Sequence, residues 1–236
     1  MDTDKAVSGR TGKVIVLEGI DGTGKSTIAR RITERMRDGS VVHTTYKDIA
    51  PTPPELETAM QQLKAILWPA TQHHLKILPS QYRVLLHAAW VNLVSEGVVA
   101  PHLANSKSVV FDGWCYKLMA RFLVDGYSRD YVETVFSHVT KPDHVIVLQI
   151  DARSVWTRAM QTGRKFSPVE MGLYQGHATL GEDTYVSYQS RTHDALLLLA
   201  RDSAGDVIVV DANRAIDETT DEIEHIMRGL LGSSSR

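Results

Sequence analysis

The stretch of residues 14–27 constrains the fold of this chain more than any other. Residues 14–17 form an apolar, β-branched run, which leads through Glu18 into the segment Gly-Ile-Asp-Gly-Thr-Gly-Lys-Ser-Thr at 19–27. This segment matches the pattern G-x-x-x-x-G-K-[ST], in which backbone N–H groups and a helix N-terminus surround a phosphate. The sequence therefore predicts a strand, a phosphate-binding loop and a helix in succession.

The residues of this loop have distinct expected roles. Lys25 would bridge the β- and γ-phosphates of a nucleotide, and the hydroxyl of Ser26 would bind Mg²⁺. Asp112, which follows an apolar run, would hold the same metal through a water. A nucleotide phosphate chain and Mg²⁺ are therefore the expected ligands of this loop. Nucleotide contacts are predicted for the loop residues Gly19, Asp21, Gly22, Thr23, Gly24, Lys25, Ser26 and Thr27.

Alternating strand and helix patterns predict an α/β fold. Apolar, nearly continuous runs are typical of strands buried on both faces. Apolar residues at helical spacing fill the intervals. Such alternation favours a parallel sheet with helices on both sides. The strands are predicted at 14–17, 41–45, 108–111, 144–150 and 206–210, and helices at 25–37, 55–68, 82–104 and 216–231.

Length and composition predict a single soluble domain. The 236 residues are 43% hydrophobic and 23% charged, as in ordinary globular proteins. We expect a flexible tail at 1–12, one domain at 13–232 and a frayed end at 233–236. The formal charge of -2 disfavours nucleic-acid and anionic-membrane partners, and no apolar run approaches the ~20 residues of a membrane span. The single cysteine, Cys115, fits a reducing compartment, so we expect a cytoplasmic protein.

Other protein classes carry the same loop, and two of them are disfavoured here. The segment 140–143, Thr-Lys-Pro-Asp, matches the guanine-binding pattern [NT]-K-x-D, but it precedes a predicted strand. Base-contacting residues should instead follow the C-terminal end of a strand. We therefore expect a turn at 142–143. A helicase-type ATPase would need a longer chain and a pair of carboxylates, so the motif favours a small-molecule kinase.

Several segments, in order along most of the chain, resemble the thymidylate kinases. The segment LEGIDGTGKST is close to the phosphate-binding loop of that family, including its acidic Asp21, and it is the one individually specific match. The other matches are not specific individually, but they occur in the same order and at similar spacing along the chain as in the family. They are LLHAA at 85–89 for the helix motif LLFAA-D-R, FDGW at 111–114 for D-R-[YH], the PD-strand-D element from Pro142 to Asp151, a basic lid at 158–170, and VVDANR at 209–214 for V-I-D-A-S-R.

The resemblance implies a P-loop NTPase fold of nucleoside monophosphate kinase type, with a five-stranded parallel sheet and a lid at about 158–182. It also implies ATP as donor, Mg²⁺ as cofactor, a small-molecule acceptor and, in many members, a homodimer. Asn213 and Arg214 would lie beside adenine. Because the P-loop has no arginine at its variable positions, a lid cation should assist transfer. The candidates are Arg158, Arg164 and Lys165, and we assign the catalytic role to Arg164.

The half of the chain that should bind the acceptor departs from the family pattern. The arginine of LLFAA-D-R is replaced by Val91, and its preceding acid by Trp90. The arginine of D-R-[YH], which holds the acceptor phosphate in the family, is Gly113, and the aromatic residue that stacks on thymine is His87. Candidate contacts for the acceptor are Asp21, Lys47, His87, Trp114, Lys117, Arg121 and Tyr188.

These observations predict ATP-dependent phosphoryl transfer to a nucleoside monophosphate or a related nucleotide. The two replaced arginines predict that dTMP is not an efficient acceptor. Two alternatives stay open at this point. One is a kinase of another small acceptor, such as a nucleoside or a specialised metabolite, and the other is a nucleotide-binding module that has lost transfer.

Overall fold

A single parallel sheet organises the protein. The structure, a computed structural model, describes residues 12–36, 41–45, 54–68 and 79–232. The strand order is β2-β3-β1-β4-β5, and all four pairings are parallel. The α/β prediction is confirmed, with each strand within one residue of its expected bounds. The strands are β1 Val14–Glu18, β2 Val41–Thr45, β3 Ser108–Asp112, β4 His144–Gln149 and β5 Asp206–Asp211.

Helices connect the strands and cover both faces of the sheet. A π-helical turn, Ser95–Val99, joins α3 to α4, where the sequence predicted one continuous helix. Within this turn Gly97 faces Leu56, and a Cβ on the glycine would clash with that leucine. The helices are α1 Lys25–Arg35, α2 Pro54–Leu67, α3 Ser80–Val94, α4 Ala100–Ala104, α5 Cys115–Val124, α6 Arg129–Val135, α7 Ala152–Gln161, α8 Glu182–Ser203 and α9 Ile216–Gly232.

Alternate side chains of the central strands enter two separate cores, because successive residues of a strand point to opposite faces. Val14 and Val16 face one core, with α3, α5 and part of α8. Ile15 and Leu17 face the other, with α1, α7 and α9. Every residue of β1 is buried, whereas the edge strand β5 is largely accessible. The expected burial on both faces therefore holds for the central strands only.

The segment that resembles a guanine-binding motif stabilises the opposite end of the sheet. The Asp143 carboxylate accepts a hydrogen bond from the backbone N–H of Val14 at 2.8 Å, at the start of β1. The backbone N–H of Thr140 donates to Ser95 Oγ at 2.8 Å. These contacts lie at the N-terminal ends of the strands, so they anchor a turn, as predicted.

The ends of the predicted domain lie mostly outside the described residues. Gly12, assigned to the flexible tail, is buried, and a Cβ at this position would clash with the backbone carbonyl of Lys107. Gly12 is therefore part of the packed domain. The rest of the tail, 1–11, and the segment 233–236 lie outside the described residues, so their expected flexibility stays a prediction.

The stretch Ser80–Ala104 is long and apolar enough, at 25 residues and a mean hydropathy of 1.3, to cross a membrane. Its inner face is already occupied, because Val84, Val91 and Val94 are fully buried in the core. A core helix passes the same test of length and composition. The stretch by itself is therefore weak evidence for a membrane span.

Two isoleucines that are partners in register test the difference between central and edge strands. Ile146 of β4 is fully buried, and its neighbour Ile208 of β5 is only partly buried. We expect Ile146→Ala to lower the free energy of unfolding by about 2–5 kcal/mol, because it leaves a cavity in the core. Ile208→Ala should cost less than about 2 kcal/mol, since less apolar area is lost from the interior. Urea unfolding measures both, and equal losses would contradict the described sheet order.

Candidate active site

The loop between β1 and α1 has the backbone that a phosphate-binding loop requires. Gly19, Gly22 and Gly24 adopt φ values of +149°, +90° and +91°, which residues other than glycine rarely adopt. A Cβ on Gly19 would also lie 2.9 Å from the carbonyl oxygen of Leu148. The glycines of the motif are thus fixed by backbone shape and by the neighbouring strand, and the predicted strand–loop–helix unit is confirmed.

Lys25 is buried at the first position of α1. Its Nζ donates to the carbonyl oxygens of Gly19 and Ile20 at 2.8 and 2.7 Å, and to Thr23 Oγ1 at 3.2 Å. Burial, together with the charge of Lys117, lowers the pKa of Lys25 to about 8, even though nearby carboxylates favour the charged form. The ammonium is therefore held under the loop by groups that a phosphate could replace.

Asp21 is the centre of a largely buried ion cluster. Its carboxylate pairs with Lys117 Nζ at 2.9 Å and with the guanidinium of Arg121. Burial alone would raise the pKa of Asp21, but the charges of Arg121 and Lys117 outweigh it and lower the pKa below its ordinary value. Gln189, fully buried on α8, donates to the same carboxylate and to the carbonyl oxygen of Glu170 in the lid. The cluster therefore links the P-loop, α5, α8 and the lid.

Glu18 is a buried acid that the sequence analysis did not identify. It lies at the end of β1 with no exposed surface, and its Oε1 accepts a hydrogen bond from the backbone N–H of Trp114 at 2.9 Å. Burial raises the pKa of Glu18, against the opposing effect of Lys117 and Lys25. The contact fixes the start of α5, which carries Lys117. A charged residue ending a fully apolar strand was the signal that could have revealed it.

A cavity of about 920 Å³ adjoins the P-loop at the C-terminal ends of the central strands. It brings together predicted residues from the donor side and from the acceptor side of the site. Those lining it are Asp21, Gly22, Gly24, Lys25, Ser26, Thr27, His87, Asp112, Lys117, Arg121, Arg164 and Tyr188.

Some predicted residues lie elsewhere. The structure differs most from the prediction at Trp114, whose side chain is 1% exposed and donates from Nε1 to the carbonyl oxygen of Thr140 at 3.1 Å. It packs in the core and does not line the cavity. Asn213 and Arg214 follow β5 and also lie outside the cavity lining. Lys47 lies outside the described residues.

Residues 162–181 connect α7 to α8 and fall within the lid predicted at about 158–182, whose expected start lies inside α7. The role of this segment as a lid stays a prediction. Arg164 rests directly on the P-loop, since a Cβ on Gly22 would clash with its Nη1. Its Nη2 donates to Glu170 Oε1 at 2.8 Å, and its guanidinium carbon lies 4.7 Å from the centre of the Phe166 ring. Arg164 is therefore held between the P-loop on one side and Glu170 and Phe166 on the other.

The other two lid candidates are placed differently. Arg158 lies on α7 and donates to the backbone carbonyl oxygens of Ala212 and Asn213, at 3.2 and 2.5 Å. It fixes the segment that follows β5. Lys165 is exposed and does not line the cavity. The geometry thus supports Arg164 as the lid cation that acts at the P-loop.

Of the replaced family positions, two are part of the core, whereas Gly113 and His87 line the cavity. Val91 and Trp90 have no exposed surface, which places them inside the packing of α3. The far end of the cavity is instead lined by residues that no motif marks, among them Arg83, Asp125 and Tyr174. Arg83 lies one helical turn before His87, on the same face of α3. Its spacing from His87 could therefore have marked it in the sequence as a residue near the site.

The fold and the site together define a P-loop kinase of the nucleoside monophosphate kinase type. A phosphate-binding loop, a carboxylate at the end of the neighbouring strand and a cation on a lid converge on one cavity at the carboxyl edge of a parallel sheet.

Comparison with known proteins specifies the family. The family model described as thymidylate kinase matches residues 17–223, and the chain belongs to this family of ATP-dependent kinases. The probable thymidylate kinase 2 of Saccharolobus solfataricus is 25% identical over 224 residues, covering 94% of this chain and 99% of the relative. The thymidylate kinase of Legionella pneumophila (strain Paris) is 24% identical over 233 residues, covering 95% and 98%. That of Halothermothrix orenii is 29% identical over 229 residues, covering 93% and 98%.

The lowered pKa of Lys25 predicts a pH-dependent affinity for ATP. Above about pH 8 the free protein holds a neutral amine, so the triphosphate loses a positive partner. We expect the dissociation constant for ATP to rise above pH 8 by up to about tenfold per pH unit, as for linkage to one proton. Titrations from pH 7 to 9.5 test this. Lys25→Met should be folded, nearly inactive and free of this dependence, whereas a wild-type affinity that stays flat to pH 9.5 would contradict the lowered pKa.

Proposed function

We propose that this protein transfers the γ-phosphoryl group of ATP to a nucleoside monophosphate or a related nucleotide, and that dTMP is not its preferred acceptor. The observation that carries the proposal is one continuous cavity, in which Lys25 and Arg164 adjoin the cationic pair Lys117 and Arg121. Donor and acceptor can therefore meet beside the P-loop.

The residues of the donor half support phosphoryl transfer by positioning and charge neutralisation. The triphosphate would lie along the P-loop, with Lys25 on its β- and γ-phosphates. An oxygen of the acceptor would attack the γ-phosphorus as the bond to the bridging oxygen of ADP breaks. Arg164 would stabilise the charge that develops on the transferred group.

Two oxygen donors suit Mg²⁺. The hydroxyl of Ser26 and the carboxylate of Asp112 both line the cavity next to Lys25. Mg²⁺ is usually bound through one or two carboxylates plus substrate phosphates and waters, so this sparse donor set fits it. When bound, the ion would neutralise the charge of the triphosphate, while Ser26 and Asp112 fix its position.

The acceptor half supports an anionic acceptor. Lys117 and Arg121 extend from α5 to Asp21, whose carboxylate occupies both cations. An acceptor phosphate placed here would share these cations and lie beside the P-loop. Together they offer a replacement for the phosphate-holding arginine of the family, whose position is Gly113.

The aromatic lining bears on the two alternatives. Trp68, Phe122, Tyr174 and Tyr188 line the same cavity, which favours an acceptor with a ring over a small aliphatic metabolite. A module without transfer activity is disfavoured by the convergence of Lys25, Asp112 and Arg164. For the expected homodimer, the support is a pair of exposed apolar residues one helical turn apart on α3, where Tyr82 and Leu85 are 42% and 53% exposed. The cytoplasmic location stays a prediction.

The replaced arginines set the expected selectivity. Each arginine contact to a phosphate or base contributes roughly 1.5–3 kcal/mol, and two are missing at Val91 and Gly113. At ~1.4 kcal/mol per tenfold, the loss for dTMP is on the order of 10² to 10⁴ in binding, unless Lys47, Lys117 or Arg121 compensates. We expect the specificity constant for dTMP to fall below that of at least one other acceptor. Steady-state kinetics at saturating ATP, with nucleoside monophosphates, nucleosides and non-nucleotide acceptors, measure this. A clear preference for dTMP would refute the selectivity.

Arg164→Ala should lower kcat more than the affinity for ATP, because the cation acts mainly on charge that develops in the transition state. We expect kcat to fall by about 10²- to 10³-fold, as for loss of one stabilising donor, with less than a tenfold change in the KM for ATP. Arg129→Ala, on α6 and engaged with Glu133 and Asp202 at the surface, serves as the control. A change confined to the KM for ATP would assign Arg164 to donor binding instead.

A further inference from the structure

A buried arginine at the far end of the cavity has no part in the phosphate chemistry described above. The side chain of Arg83, on α3, is 8% exposed and lines the cavity. Its guanidinium carbon lies 3.3 Å from the centre of the Tyr174 ring, and Nη1 lies 3.8 Å from Asp125 Oδ2, beyond hydrogen-bond range. Its Nε makes no hydrogen bond within the described part of the chain. Nε itself has almost no exposed surface, so a ligand in the cavity would reach the guanidinium through its terminal nitrogens.

Helix α5 shows how far this arginine lies from the phosphoryl-transfer end. Lys117 and Arg121 contact Asp21 of the P-loop, and Asp125, at the end of the same helix, contacts Arg83. At a rise of 1.5 Å per residue, Asp125 lies about 12 Å along the helix axis from Lys117. The phosphate and the base of one nucleotide can therefore occupy the two ends of the cavity.

The surroundings of Arg83 suit a flat ring. His87 and Phe122 have ring centroids 5.6 Å apart, and Trp68 lies 6.0 Å from His87, both edge to face. His87 Nδ1 donates to the carbonyl oxygen of Arg83 at 2.7 Å, since a carbonyl can only accept. Burial lowers the pKa of His87 to about 4, so this ring stays neutral beside Arg83.

The nearby carboxylate is already engaged. Asp125 is 3% exposed, and its Oδ1 accepts from Gln175 Nε2 at 3.0 Å, which ties the lid to the end of α5. Asp125 is therefore less available to a ligand than Arg83. A guanidinium has only donors, so the polar group offered at this end requires an accepting oxygen.

We propose that Arg83 is a specificity-determining residue that binds the acceptor base, donating hydrogen bonds to a carbonyl oxygen on the edge of its ring. A base with an amino group at that position places a donor opposite the donors of the buried guanidinium and binds more weakly. The proposal rests on the nucleotide acceptor of the proposed function. It concerns the base edge alone, so it applies whether or not dTMP is the preferred acceptor.

Two matched pairs of acceptors test this residue. Within each pair, dUMP with dCMP and dIMP with dAMP, the first member has a carbonyl beside a ring N–H, and the second has an amino group beside an accepting ring nitrogen. At saturating ATP, we expect the carbonyl member of at least one pair to have the higher kcat/KM, by about tenfold or more. Arg83→Met should bring that ratio close to one by raising the KM of the carbonyl member roughly 10- to 100-fold. Its kcat should change little, as for loss of uniform binding.

Three further measurements separate recognition from folding. Arg83→Lys should give an intermediate ratio, because it keeps the charge but loses the planar fork. Arg30→Met, whose side chain is 68% exposed on α1, should leave the ratio unchanged. Thermal unfolding and the affinity for ATP should match the wild type in Arg83→Met. An unchanged ratio in folded Arg83→Met would overturn the proposal, and so would a parallel loss of affinity for both pair members and for ATP.

Equilibrium binding distinguishes this proposal from the function on which it rests. The four nucleotides are titrated against the wild type and Arg83→Met with a non-hydrolysable ATP analogue present. If the wild type binds them without transferring phosphoryl, the proposed function fails, and the binding ratio still decides the role of Arg83. If it transfers phosphoryl and the ratio does not depend on Arg83, only the present proposal fails. If it binds none of the four, both fail.

Discussion

Four charged side chains are largely removed from water where the two central strands end, and the active site depends on how their charges are balanced. Glu18 and Lys25 are 0% and 8% exposed, and Asp21 and Lys117 are only slightly more accessible. Charges this deep are stable only when they are paired and hydrogen-bonded. The P-loop carbonyls, Arg121 and the backbone of α5 supply these partners. The loop, the strand end and α5 are therefore held in one arrangement by the same network.

The sheet order explains why this network lies beside a cavity. β1 is central, with β3 and β4 on either side, so the P-loop and Asp112 emerge at neighbouring strand ends. Helix α5 follows β3 directly and brings its cations back to the loop. Gln189 joins Asp21 to the backbone of Glu170, in the segment between α7 and α8. The P-loop, α5, α8 and this segment thus share one set of contacts.

The acceptor end differs in character from the phosphate end. There the charged groups are spaced by aromatic rings, and the arginine stacks on Tyr174 of the lid. A charge beside a ring in a dry site favours a ligand that is flat and polar at its edge. Of the family positions that contact the acceptor elsewhere, Val91 is a core residue here, whereas Gly113 and His87 line the cavity. Under the proposed function, other residues of the same helices would take over recognition of the acceptor.

The sequence alone determined which segments form the strands and where the phosphate-binding loop lies. Local patterns were sufficient for this, because the strand bounds follow from apolar runs and the P-loop from glycines whose positive φ values no other residue adopts easily. The positions of Glu18, Gln189, Arg83 and Tyr174 at the site were decided by tertiary structure. Each lies far along the chain from its partners, and no spacing rule relates them. Trp114 is the opposite case. Its place next to a predicted catalytic residue suggested a contact with the ligand, but the packing around α5 places its ring in the core. Side-chain direction at a cavity depends on neighbours from distant segments, and only the folded chain brings them together.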